Sequence, residues 1–171
     1  MKTIIVGLGN PILGDDGVGW KVAEEVKKRL ASSGPFFSAR GKAQHSKSRR
    51  GQQICIDVEF LSLGGISLME HLIGYERAIL IDAVTSGPEI GFVTVSNLSD
   101  MPDYSAFHIT RTHDTSLQHA LKLGKAMGAK LPEKTIVVGI RTDHVFDFGE
   151  DLSPPVAAAV PNAAQVVISL L

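Results

Sequence analysis

The sequence predicts an α/β protein: one three-layer α/β/α domain, with a mainly parallel five-stranded sheet covered by helices on both faces. Three observations predict it. Short β-branched runs alternate with stretches of helical period, the pattern of parallel sheets. A glycine-rich turn joins the first run to the first helical stretch, as at the start of a βαβ unit. The run AILID at 78–82 is continuously apolar up to its final acid, as in strands buried on both faces. The 171 residues suit one domain spanning 1–171, and a 44% apolar content can fill its core without disulfide staples.

The elements follow in order. Residues 3–7 (TIIVG) read as a strand. From 17 to 30 the period changes: Val18, Val22 and Val26 form one stripe, and Lys21–Glu25 and Glu24–Lys28 are pairs one helical turn apart. Asp15 or Asp16 is placed to cap this helix. Residues 32–53 carry Arg40, Lys42, Lys47, Arg49 and Arg50 with no acid, which reads as a solvated loop inserted into the domain. Its functional alternative is docking to an acidic partner or to RNA. Residues 54–63 are a second strand, Ile66 to Ile73 a short helix, and 78–82 a third strand. Residues 91–95 follow after a short link, which predicts a hairpin neighbour of the third strand or an antiparallel edge. Leu117, Ala120 and Leu121 mark a helix capped by Thr112 or Asp114, residues 134–140 a fifth strand, and 154–171 a last helix.

The ends and the charge exclude several classes. The run at 3–8 is too short for a leader and no cleavage site follows it. Residues 152–171 carry no charge, yet Pro154, Pro155, Pro161, Asn162 and Gln165 interrupt them, so a helix packed on the domain is expected rather than a membrane span. The 17 basic and 18 acidic residues give a net charge of −1, which disfavours a polyanion partner. A lone cysteine, Cys55, builds neither a disulfide nor a thiolate zinc site, and it reads as a buried structural thiol in a reducing compartment.

Ligand sites of parallel sheets lie at the carboxyl ends of the strands. That rule selects Asp15 and Asp16 after the first strand, Asp82 ending the third, and His113 before the third helix. Two carboxylates and an imidazole suit a borderline divalent metal. The structural alternatives are a helix cap for one of the aspartate pair, a turn acid for Asp82 and a plain first-turn residue for His113. His45, His71, His108, His119 and His144 read as ordinary histidines. Gly7-Leu8-Gly9 invites a dinucleotide reading, but Ile12 stands where the third glycine belongs and two acids crowd the helix start. No nucleophile motif or Walker pattern occurs, so hydrolysis by metal-polarised water fits this residue set best.

The blocks IIVGLGNPILGDDGVGWKVAEEV, AILIDAVTSGPEIG, THDTSLQHALKLG and TIVVGI with LSPPVAAAVPNAAQVV together resemble the hydrogenase maturation endopeptidases. The resemblance covers most of the chain and omits 32–53. It implies a phosphorylase/hydrolase-like fold and removal of a C-terminal extension from the large-subunit precursor of a nickel–iron hydrogenase. It further implies action after nickel insertion, with the precursor's nickel as the recognition mark. By matching motifs, the metal-binding and catalytic positions fall on Asp16, Asp82 and His113. Some relatives carry glutamate at the first position, and Asp16 is one methylene shorter. Arg141-Thr142 also departs from the family pattern. Both metal-activated water and a carboxylate base are compatible with this set. The expected partner is the hydrogenase precursor, with no nucleic acid and no membrane, for a cytoplasmic monomer. The rivals are a peptidyl-tRNA hydrolase-like enzyme, which shares the GLGNP opening but not the block expected after it, and a metal-sensing chaperone that binds the precursor without cutting.

Overall fold

The first helix shows why this sequence makes a layered sheet. α1 (Val18–Ser32) buries Val18, Val22 and Val26 completely against the sheet. Removing each such side chain from water contributes about 1.5–3 kcal/mol. Its outer face carries the charges, with Lys28 3.4 Å from Glu24 and Arg29 2.8 Å from Glu25. The helix can lie directly on the strands because two glycines meet there. A Cβ on Gly7 would stand 2.5 Å from the Gly19 carbonyl oxygen, and one on Gly19 only 2.2 Å from that of Leu8. The glycines of the opening GLG motif therefore serve helix–sheet contact and the turn that follows.

A computed structural model describes residues 1–32, 45–47, 53–102, 115–143 and 148–171. His108, His113 and His144, the caps expected at Thr112 and Asp114, and most of the basic stretch lie outside the described residues. The other elements are β1 (Lys2–Leu8), β2 (His45–Lys47), β3 (Gln53–Leu61), α2 (Gly65–His71), β4 (Arg77–Val84), β5 (Val93–Asn97), α3 (Leu117–Ala126), β6 (Lys134–Arg141) and α4 (Pro154–Ser169). The strand order is β2-β3-β1-β4-β6-β5. The four central strands are parallel, and β2 and β5 are antiparallel edges.

The expected parallel core of the sheet is present, with helices on both sides. Ile5, Ile79 and Ile81 pack with α1 and α4, while Ile4, Val6 and Leu80 pack with α2 and α3. Two details differ from expectation. The short edge strand β2 forms inside the basic stretch. The strand at 93–97 is an antiparallel edge as anticipated, but it is not a hairpin partner of β4. The segment leaving β4 turns at Gly87 and Gly91, both at positive φ, and crosses to the outer edge of β6. There Gly91 N–H donates to the Arg141 carbonyl at 2.8 Å, and Arg141 N–H to that of Phe92 at 2.9 Å. The near edge of β4 is already taken by β6, paired over eight residues from Arg77–Lys134 to Val84–Arg141.

Chain direction fixes where a site can form. The chain leaves β1 through α1 towards β3 on one side, and leaves β4 towards β6 on the other. Those two connections run over opposite faces, so the carboxyl ends of β1 and β4 flank a topological switch point, where open α/β sheets hold their ligands.

Candidate active site at the switch point

The loop between β1 and α1 is tied down at both ends. Gly9, at φ 127°, donates its N–H to the Leu61 carbonyl at 3.2 Å, and its own carbonyl accepts the Ser62 hydroxyl at 2.6 Å. A Cβ at Gly9 would sit 1.9 Å from the Asp16 carbonyl oxygen, so only glycine permits this return of the loop. The loop closes through a 3₁₀ turn, Gly14–Gly17, that packs on β4.

Asp15 and Asp16 are both buried in that turn, and the structure divides their work. Asp16 Oδ2 accepts the Asn10 N–H at 2.7 Å, which orients the carboxylate from within its own loop. Asp15 accepts twice from Ser153, from its N–H at 2.6 Å and its hydroxyl at 2.7 Å. Ser153 is the residue before α4, and Pro154 and Pro155 behind it have no N–H to be capped. Its hydroxyl makes no capping bond to α4 and donates instead to Asp15, one of the two caps anticipated for α1. A short parallel bridge between Leu13 and Gly149 extends this seam, with Gly14 N–H donating to the Gly149 carbonyl at 2.7 Å.

Asp82 lies on β4, fully buried and in register with Gly139 of β6. The strand continues two residues past it, to Val84, so Asp82 lies just inside the strand end. Strand alternation puts it on the face of Ala78 and Leu80, the α2/α3 side of the sheet. A carboxylate buried there, beside the loop that holds Asp16, is costly unless it is paired or binds a cation. His113 lies outside the described residues, two positions before Thr115, whose carbonyl oxygen packs where a Gly65 Cβ would stand, 2.5 Å away. Among the described residues, Asp16 and Asp82 supply buried carboxylate oxygens, the hard donors that divalent cations take.

Several other polar groups have structural partners. His71 Nδ1 lies 3.0 Å from Glu59, and His119 Nδ1 lies 3.0 Å from the Ser116 hydroxyl. Ser116 is the cap of α3, where Thr112 or Asp114 had been expected. Arg141 donates to the Thr142 carbonyl at 2.6 Å and to the Asp143 carboxylate. Cys55 is buried, and burial, then the charge of Asp57, pushes its thiol up. Burial and a 2.8 Å hydrogen bond donated to Asp57 likewise raise the Tyr75 phenol well above its ordinary value. Sequence reasoning selected Asp16 and Asp82, which the structure buries after β1 and near the end of β4, but missed Ser153, whose partner is 138 residues away.

A doubly wound α/β domain with buried carboxylates beside its switch point is the frame of a ligand-binding or catalytic site. The chain belongs to the hydrogenase maturation protease family, which matches residues 56–170, and is thereby a hydrolase of the endopeptidase kind. That match includes Asp82 and His113 and begins after Asp16. Longer similarities include the first loop. The hydrogenase expression/formation protein HupD of Rhizobium leguminosarum bv. viciae is 23% identical over 170 residues, 99% of this chain and 74% of that protein. HoxM of Azotobacter vinelandii is 24% identical over 168 residues, 98% of this chain and 71% of that protein. The fold is that of the hydrogenase maturating endopeptidase HybD from E. coli, with a TM-score of 0.64 at 19% identity, covering 100% of this chain and 92% of that one. The [NiFe] hydrogenase maturation protease HybD from Thermococcus kodakarensis gives 0.60 at 20% identity, covering 99% of each chain. Among the described residues, no helix is long and apolar enough to cross a membrane.

Proposed function

We propose that this protein removes the C-terminal extension of a nickel–iron hydrogenase large-subunit precursor after nickel has been inserted. Nickel held by the precursor is the recognition element, and Asp16, Asp82 and His113 are its ligands on the protease side. The observation that carries the reading is the burial of Asp16 and Asp82 at one switch point, in a chain of the maturation protease family. A divalent metal bound there supplies Lewis acidity and a fixed point for positioning the peptide. The chain's own residues do the rest. The Asn10 amide orients the Asp16 carboxylate, and the parallel ladder of β1, β4 and β6 fixes Asp82. The Asp15–Ser153 seam holds the loop to the start of α4, so the site keeps its shape as the precursor docks. The protein acts as a cytoplasmic monomer on this precursor.

The test is the intact mass of the precursor after incubation with each of Asp16→Asn, Asp82→Asn and His113→Ala. Each variant should lose more than about 100-fold in processing rate, beyond the 10–100-fold typical of residues that only support metal ligands. Each should remain folded by circular dichroism. Turnover at the wild-type rate in all three would remove the assignment.

A further inference from the structure

We infer that a groove beside the site loop is a docking surface for an acidic, apolar-anchored segment of the precursor. This inference rests on the protease reading, which identifies the partner. The groove has a volume of about 540 Å³ and lies between the outer flank of α1 and the face of β3. That is within the roughly 300–1,000 Å³ range of ligand-binding clefts. Its floor is aromatic: the Trp20 and Phe60 rings are 5.6 Å apart at 55°. Pro11 of the site loop also lines it. Trp20, Glu24, Lys27 and Ala31 recur at helical spacing along one stripe, and Lys21 and Lys28 flank it.

Two features give the occupant its chemistry. First, the walls are cationic. Three lysines against the one carboxylate of Glu24 leave a local charge of +2, on a chain whose net charge is −1. Glu24 already pairs with Lys28 at 3.4 Å, so Lys21 and Lys27 carry the excess. Lys27 Nζ lies 5.6 Å from the centre of the Phe60 ring, its charge held over the apolar floor. An apolar side chain on Trp20 and Phe60, with carboxylates on either side, complements this pattern. The single Glu24 and the small excess charge fit a nucleic acid backbone poorly.

Second, the groove is continuous with the site. The Leu61 carbonyl accepts both the Trp20 indole N–H at 3.3 Å and the Gly9 N–H at 3.2 Å. Pro11 follows Asn10, whose amide holds Asp16. A segment lying in the groove therefore reaches the loop that bears the first carboxylate.

The experiment uses the full chain, steady-state cleavage of the precursor, and the fluorescence of Trp20, the sole tryptophan. Lys21→Glu combined with Lys27→Glu should raise KM about tenfold and leave the change on KM rather than kcat. The wild-type KM should rise with salt more steeply than that of the double variant. A non-aromatic peptide, acetyl-Asp-Glu-Leu-Asp-Glu-amide, should shift Trp20 emission and compete with the precursor, and acetyl-Lys-Lys-Leu-Lys-Lys-amide should do neither. A double variant with wild-type KM and salt dependence would overturn the groove and leave the protease reading intact. A wild-type protein that binds the precursor without cutting it, and loses binding in the double variant, would keep the groove and overturn the protease reading. Competition by a duplex RNA, or self-association suppressed by the two substitutions, would replace the precursor as occupant and overturn the inference.

Discussion

Asp15 and Asp16 are neighbours of identical chemistry, and the structural part played by Asp15 can be measured. Asp15→Ala removes two hydrogen bonds to a carboxylate, from the Ser153 N–H at 2.6 Å and its hydroxyl at 2.7 Å. Hydrogen bonds to charged groups contribute about 1.5–3 kcal/mol each, so both together are worth about 3–6 kcal/mol at most. Ser153 is half-buried, and water can replace part of what its donors lose. A net cost of about 2–4 kcal/mol follows. For a chain of this size that corresponds to a fall in Tm of about 5–15 °C. Differential scanning calorimetry at neutral pH is the assay. Ser153→Ala removes only the hydroxyl bond and should cost about half as much. The two effects should be non-additive, because they share a partner. A fall of less than 2 °C for Asp15→Ala, or strict additivity with Ser153→Ala, would refute the view that this seam holds the loop to α4.

Two further expectations concern packing and pH. Gly19→Ala would put a methyl 2.2 Å from the Leu8 carbonyl oxygen and 2.4 Å from that of Ile81, both backbone atoms. It should cost about 3 kcal/mol or more in urea unfolding. Gly124→Ala meets only the Leu131 and Met69 side chains, which can yield, and should cost less than about 1 kcal/mol; equal costs would contradict this account of the α1 contact. Tyr75 holds its proton more tightly in the fold than in the unfolded chain, through burial and then its bond to Asp57. That contribution is complete below the ordinary phenol value near pH 10 and is lost as pH rises above it. Tyr75→Phe should therefore be about 1 kcal/mol less stable at pH 7 but lose less than the wild type above about pH 10; parallel stability curves from pH 8 to 11 would refute this.

The sheet was legible because its central strands β1, β4 and β6 are apolar on both faces and its helices carry a clear stripe. Val18, Val22 and Val26 are buried as their spacing requires. The placement of Asp16 and Asp82 near strand ends was legible for the same reason, since carboxyl ends follow from the strand order. What was hidden is non-local. Nothing within Val93–Asn97 says that β6, forty residues later, will occupy the edge beside β4 and offer its own outer edge. The β2 run His-Ser-Lys has no apolar alternation to announce a strand, yet it pairs antiparallel with β3. The pair at 15 and 16 looks symmetrical in sequence, and only Ser153 and Asn10 break the tie. Trp20 and Phe60 are likewise forty residues apart, so the aromatic floor of the groove emerges only in the fold.

The most direct test of the central claim is the intact mass of a nickel–iron hydrogenase large-subunit precursor incubated with this protein, once nickel-loaded and once nickel-free. The account predicts loss of a C-terminal peptide in the nickel-loaded sample and an unchanged mass in the other. Equal cleavage of both would contradict nickel as the recognition element, and no cleavage of a precursor that binds the protein would contradict the endopeptidase assignment.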